Sequence, residues 1–392
     1  MKKPVLVVGA GLSGLSAAWY LANRGAAVRG VCADADPGGL IHTRRMDEGL
    51  VETAANSLVV TARARALCAA IGVELCEPQK DSKRRFVFRD LRPRRWPLTM
   101  TESLGGAASV AWALARRAAK PRDGETVSVW GHRVIGRAMT DRLIAPVLQG
   151  IYAAPADRLS ARAVFGSRKG RKGGVGAPRS GMGEIIERLA DRLKDKGVSI
   201  ECGVRVAALT SGEPAVVCTA APEAARLLAP HAPELARAVS AIELSSAISV
   251  TAFFEPRPDD LRGFGVLFPR GAGVDALGVL FNSDIFPGRS ALRSETWILA
   301  GAGRQHETDE AILADHVLPD RQLLSGRTDR PVAAYVTRWA QAIPIYDDAV
   351  LAAGALVGTL PPWLSVAGNY LGRIGASSLF DVAAEAADRL AL

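Results

Sequence analysis

Three glycines near the start of the chain carry the first chemical signal. Gly9, Gly11 and Gly14 fall in the order G-x-G-x-x-G. At such a spacing the first glycine permits a tight turn. The second lets backbone approach a pyrophosphate with no side chain between, and the third lets a helix pack close to a strand. The N–H groups of Leu12, Ser13 and Gly14, in the first turn of that helix, have no intrahelical acceptor and suit an anion. The same spacing closes strand–helix turns in other α/β folds, so the flanking elements decide its meaning. An acidic residue about 20 residues further on usually binds a ribose hydroxyl. Here Cys32 stands at that strand end and Asp34 follows, to serve either the ribose or an ordinary turn. The other residues able to recognise an anion are arginines, concentrated between Lys80 and Pro97.

The elements that must position these groups are legible around them. Pro4 to Val8 is a short valine-rich run, read as a buried strand. Apolar residues at helical spacing run from Ser13 to Asn23, and Gly25 stands where a helix would stop. Ala27 to Val31 is the expected second strand, and Ala62 to Ile71 a helix. Arg85 to Phe88 alternates as a strand that puts Arg85 and Val87 on one face. Residues 101–165 are expected to be mostly helical. Gly166 to Ser180, with Arg168, Lys169, Arg171, Lys172 and Arg179 among glycines, reads as a loop. Met182, Ile185, Ile186, Leu189 and Leu193 then form one helical stripe. Short strands are expected at Val198 to Ile200, Val204 to Val206 and Ala215 to Ala220. Alternating strands and helices fill 223–336. A last strand begins at Leu364, and a helix runs from Ser377 to Leu390.

Composition bounds the class. The chain has 392 residues, 48% of them hydrophobic, enough for two or three domains. The pattern is α/β, or α+β overall. No apolar run approaches the roughly 18 residues that span a bilayer. Residues 1–3 run straight into the first strand, so the expectation is a cytoplasmic chain with no signal peptide. Five cysteines without a C-x-x-C pair, and five scattered histidines, point to reduced thiols and no metal site. The net charge of +9 suits anionic substrates, anionic lipid or nucleic acid, or simply reflects solvated arginines.

Further motifs carry a resemblance. The glycine fingerprint, then Gly38-Gly39-x-x-x-Thr43 and Val51-Glu52-x-x-x-Asn56-Ser57, resembles the N-terminal signature of the flavin amine oxidase superfamily. More narrowly, these residues resemble the protoporphyrinogen oxidase family. So do Gly131 to Pro146, Gly150 to Ala161, Arg338-Trp339 to Pro344-x-Tyr346, and Leu364 to Gly375. The resemblance implies a Rossmann-like FAD-binding domain built from 1–60, 181–222 and 337–392. It implies a mixed-sheet substrate domain from 61–100 and 223–336, and a helical subdomain over 101–180 that lines the substrate channel and contacts a membrane. It puts Gly38, Gly39 and Thr43 along the FAD diphosphate and the Val206 backbone at the adenine. Trp339 is placed near the isoalloxazine, Gly368 and Asn369 near the diphosphate, and Ile374 and Gly375 against the flavin ring. Arg85, with Arg84 as a rival, is expected to pair with a substrate carboxylate, and Asn56 to orient the reacting carbon.

The implied activity is oxidation of protoporphyrinogen IX to protoporphyrin IX, with oxygen or a quinone as acceptor and no nucleic acid as partner. Coproporphyrinogen III, or another amine or polyene, is the alternative substrate. A binding protein without turnover is the alternative class. The inner face of the cell membrane is the candidate surface for peripheral contact. Three departures from the family pattern bear on these expectations: Cys32, Ala54-Ala55 in place of Gly-Pro, and a shortened connection between Val206 and Ala215.

Overall fold

The computed structural model describes residues 3–166 and 173–390. The first half of the chain supplies β1 (Val5–Val8), α1 (Leu12–Asn23), β2 (Val28–Val31), β3 (Thr43–Met46), β4 (Gly49–Glu52), β5 (Leu58–Val59) and α2 (Ala62–Ile71). Then come β6 (Leu75–Cys76), β7 (Arg85–Arg89), β8 (Arg92–Arg94), α3 (Met100–Ala115), α4 (Val127–Val134), α5 (Ala145–Tyr152) and β9 (Val175–Pro178). The second half supplies α6 (Gly183–Asp195), β10 (Ser199–Glu201), β11 (Ala215–Val217), α7 (Ala221–Leu228), α8 (Pro233–Ser240) and β12 (Leu244–Phe254). It continues with β13 (Gly265–Leu267), β14 (Ala276–Phe281), β15 (Arg293–Ala300), α9 (Leu318–Ser325), β16 (Ala333–Pro344), α10 (Asp348–Leu356), β17 (Leu364–Val366) and α11 (Ala376–Arg389).

Two sheets organise these elements. The first is five-stranded and wholly parallel, in the order β10-β2-β1-β11-β17. Both its faces are covered, which is why the central strands β1 and β11 read as continuous apolar runs. Helices α1, α2, α6 and α11 pack on one face around Leu15, Ile71, Leu189 and Phe380. Helices α5, α7, α8 and α10 pack on the other around Tyr152, Leu228, Leu235 and Val350. The second sheet has seven strands in the order β16-β12-β15-β14-β13-β7-β8, antiparallel except where β13 meets β7. One face is filled by Phe88, Phe268 and Trp297, the last two rings stacked 6.0 Å apart.

Most expected elements are present, with four corrections. Val204–Val206 forms no strand; its chain is held by isolated backbone bonds, such as Val204 N–H to the Cys32 carbonyl at 2.8 Å. Val175–Pro178, expected as loop, is the strand β9, because β5 and β6 flank it and supply hydrogen bonds. Arg168, Lys169, Arg171 and Lys172 lie outside the described residues. In β7 only Arg85 is exposed, and Val87 on its face is buried with Phe86 and Phe88. Finally, residue 337, expected at a domain boundary, lies inside β16, where Thr337 faces Ser249 and Trp339 faces Ala247 of β12.

Candidate cofactor and substrate site

The two glycine turns stack on each other through bare backbone. Gly9 has φ +103°, and a Cβ there would stand 2.6 Å from the Cys218 carbonyl. A Cβ on Gly14 would stand 1.8 Å from the Gly9 carbonyl oxygen, so α1 lies as close to its strand as backbone allows. Gly38 pairs with Gly11 across a parallel bridge, and its N–H donates to the Ala10 carbonyl at 2.9 Å. At Gly11 itself a Cβ would meet nothing nearer than 3.8 Å. The cradle floor is therefore open peptide backbone. Above it the first turn of α1 has no side-chain cap and no acidic residue. Uncapped N–H groups at a positive helix end are suited to a diphosphate.

The sheet topology puts this cradle where a nucleotide belongs. From β1 the chain goes to β2 on one side, and β11 later enters on the other side. The carboxyl ends of β1 and β11 flank that reversal, which is the binding crevice of open α/β sheets. Gly368 and Asn369 follow β17 beside it, with the Tyr346 hydroxyl donating to the Asn369 carbonyl. Gly375, with φ +94°, opens α11, and the Ile374 carbonyl accepts from the Ser378 hydroxyl at 2.8 Å. Burial pushes the Cys218 thiol, beneath the first glycine turn, up to about 12. It also raises the Tyr370 phenol, so both stay neutral. The backbone cradle fits an adenine dinucleotide.

At the adenosine end the side chains are less committed. Asp34 is exposed, and its carbonyl accepts from Gly203 N–H at 2.8 Å. The Val206 carbonyl is already taken by Arg226 at 2.5 Å, and Arg226 is paired with Glu223. Thr43 is likewise engaged. Its hydroxyl donates to Glu52 at 2.7 Å and accepts from Gly183 N–H at 2.8 Å. Glu52 also accepts from Met182 N–H at 2.9 Å and pairs with Arg289. Glu52 and Arg289 are both only 3% exposed. One buried carboxylate thus joins the β3–β4 hairpin, the start of α6 and the loop before β15.

A cavity of about 430 Å³ opens between the hairpin and β16. Its lining is His42, Thr43, Arg44, Thr53, Val336, Thr337, Arg338 and Trp339, with no carboxylate. Trp339 is fixed by its indole N–H, which donates to the Thr53 carbonyl at 2.7 Å. Arg338 is held from behind by Asp309 at 2.5 Å and by the Glu307 carbonyl at 2.7 Å. Its Nε and the Thr337 hydroxyl are buried without a partner among the described residues. The Glu307 carboxylate is gripped by His316 at 2.9 Å, whose other ring nitrogen meets Asp275 at 2.6 Å. Burial opposes charge on His316, but the two carboxylates outweigh it and raise its pKa.

The structure brings Thr43 and Trp339 together and leaves two expected residues elsewhere. Asn56 lies outside the cavity wall and bonds locally to the Ala54 carbonyl at 3.3 Å. Arg85 sits over the Phe264 ring at 4.7 Å, on a strand five steps from β16, roughly 24 Å along the sheet. Sequence reasoning passed over His42, Arg44, Thr53 and Arg338. Arg44 and Arg338 are immediate chain neighbours of Thr43 and Trp339, and the same motifs could have yielded them.

Fold and cradle together define a dinucleotide-binding protein with a second, mixed-sheet unit. Residues 12–364 match the flavin containing amine oxidoreductase family, and the chain belongs to that family. Coproporphyrinogen III oxidase of Propionibacterium freudenreichii subsp. freudenreichii is 25% identical, covering 98% of this chain and 90% of its own. Protoporphyrinogen oxidase 2 of Arabidopsis thaliana is 26% identical, covering 98% and 93%. Among solved structures, a proposed protoporphyrinogen oxidase of Exiguobacterium sp. 255-15 superposes with TM-score 0.80 at 20% identity, covering 99% and 98%. A putrescine oxidase double mutant superposes with TM-score 0.79 at 17% identity, covering both chains fully. The protein is an FAD-dependent oxidoreductase.

Two outcomes follow. Gly11→Leu fills the open floor of the cradle and should lower FAD affinity by roughly tenfold or more, read as flavin per chain after purification, with the fold retained by circular dichroism. His316 has a raised pKa, so its stabilising share is complete below the unfolded histidine pKa and fades as pH rises through the folded value. Thermal melts of wild type and His316→Gln should therefore differ at acidic pH and converge above neutrality.

Proposed function

We propose that this enzyme oxidises protoporphyrinogen IX to protoporphyrin IX, in porphyrin and heme biosynthesis, with oxygen or a quinone as the final acceptor. The observation that carries the reading is the cavity wall: Arg44, Arg338 and His42 with no carboxylate, beside the glycine segment. Such a wall suits the carboxylate arms of a porphyrinogen, because arginine binds a carboxylate through charge-assisted hydrogen bonds and keeps its charge. The names of the relatives support the same substrate class. When bound, FAD supplies the acceptor for successive two-electron oxidations of the macrocycle. The chain's own work is positional. Arg338, held by Asp309 and the Glu307 carbonyl, brings positive charge to the wall, and Trp339, locked by Thr53, forms a rigid flat surface. Asn56 remains the candidate for orienting the reacting carbon.

Arg338 replaces Arg85 as the favoured carboxylate partner, since the sheet separates the two too far to grip one arm. Arg338→Gln should raise KM about tenfold with flavin content unchanged, whereas Arg85→Ala leaves KM alone. The reverse pattern would return the role to Arg85. Coproporphyrinogen III is the second reading, favoured by the Propionibacterium relative. A competition assay with both porphyrinogens decides it, the proposal expecting the larger kcat/KM for protoporphyrinogen IX.

Peripheral membrane contact belongs to the same reading. Helix α3 buries only Gly106 and Ala113, while Met100, Leu104, Trp112 and Leu114 on its outer side are 61–76% exposed. Its one acidic residue, Glu102, turns inward to Arg89 at 2.8 Å. Exposed Trp96 and Arg92, Arg94 and Arg95 lie just before it, and Arg116 stacks over Trp112 at 3.9 Å. An apolar face rimmed by arginine suits an anionic lipid surface. No helix among the described residues is long and apolar enough to cross a membrane. The protein should co-sediment with phosphatidylglycerol vesicles, and Leu104→Glu/Trp112→Glu should abolish this while leaving turnover of detergent-dispersed substrate intact.

A further inference from the structure

Cys32 occupies the strand end where a ribose-binding acid would stand, and it has a thiol neighbour. Strand β10 runs parallel to β2 with Glu201 opposite Val31, and Cys32 N–H donates to the Glu201 carbonyl at 2.8 Å. In a parallel ladder that bond puts Cys32 beside Cys202. Adjacent strands lie about 4.8 Å apart, inside the window of about 4.4–6.8 Å between Cα atoms that a disulfide accepts. Side chains at paired positions leave the sheet on the same side. The Cys32 thiol is among the groups that raise the pKa of the Cys202 thiol, after burial. Gly203 N–H to the Asp34 carbonyl and Val204 N–H to the Cys32 carbonyl, both at 2.8 Å, clamp the two segments together just beyond. Cys32 is 4% exposed, and Cys202 is the half-buried partner through which an oxidant enters.

We propose that Cys32 and Cys202 form a peroxide-sensitive dithiol at the adenosine end of the cofactor site, closing reversibly to a disulfide that changes FAD affinity. The inference rests on the FAD reading of that site, and the oxidant is hydrogen peroxide. The Cys202 thiolate attacks one peroxide oxygen, the O–O bond breaks, and hydroxide leaves with a sulfenic acid on Cys202. The Cys32 sulfur then attacks that sulfur, the S–O bond breaks, and the hydroxyl departs as water with the Cys32 proton. Two thiols and one peroxide give one disulfide and two waters. Burial first, then the Cys32 thiol and the Asp36 and Asp34 carboxylates, raise the Cys202 pKa. The bond should therefore form faster as pH increases, since the thiolate is the nucleophile.

The test takes the full chain and first measures FAD binding by flavin fluorescence without oxidant; failure at that step rejects the FAD reading rather than the dithiol. The protein is then treated with hydrogen peroxide and digested under non-reducing conditions. The expected result is one new linked peptide joining Cys32 to Cys202, two hydrogens lighter than its parts, reversed by dithiothreitol and absent from Cys202→Ser. The oxidised protein should bind FAD with a Kd changed by about threefold or more, and peroxide should not move the Kd of Cys202→Ser or Cys32→Ala. Recovery of both cysteines as free thiols, or as separate sulfinic acids, overturns the dithiol. Equal Kd values before and after linkage overturn its coupling to the cofactor.

Discussion

The structure depends on backbone meeting backbone at four glycines. Gly14 lies so close to the Gly9 carbonyl that no side chain could stand there, and Gly11 meets Gly38 across a bridge. Those approaches fix the exit angle of α1 and bring a second turn over the first. They leave the N–H groups at the helix start pointing into open space at the carboxyl end of a parallel sheet. A diphosphate needs such a surface because it must be met by many N–H donors at once, without bulk.

A second constraint sets where the large sheet stands relative to that cradle. Glu52 and Arg289 are buried together, and the same carboxylate receives the Thr43 hydroxyl and the Met182 N–H. Removing one partner of such a pair leaves an uncompensated charge, at a cost of about 3–5 kcal/mol. A buried ion pair is weak evidence for stability, but these partners belong to segments distant in sequence, so it fixes their register. The cavity beside it is one consequence. Its wall combines residues 42–44 and 53 from the cradle side with residues 336–339 from the edge of the large sheet.

Much of this was legible because it is local. The first strand, glycine turn and helix follow from residues 4–25, and the stripe from Met182 to Leu193 gave α6 directly. What escaped was decided by partners far away in the chain. Val175–Pro178 is a strand only because β5 and β6 lie on either side of it. The Thr43 hydroxyl stood in a cofactor motif, yet Glu52 and Gly183 occupy it. Arg85 had the right residue type and a strand beneath it, but the order of the seven strands carries it away from β16. Arg338 was written inside a recognised motif, and only the cavity singles it out from its neighbours. Charge and pattern reveal that an arginine is available; topology decides what it faces.

The central claim is that the backbone cradle holds FAD and that the adjoining cavity delivers a carboxylated macrocycle to it. The most direct measurement is the absorption spectrum of the purified protein, before and after anaerobic addition of protoporphyrinogen IX. The account predicts oxidised-flavin bands at one flavin per chain that bleach on addition, with porphyrin absorption growing in. A protein that takes up no FAD, or flavin bands that persist while the porphyrinogen stays unoxidised, would contradict it.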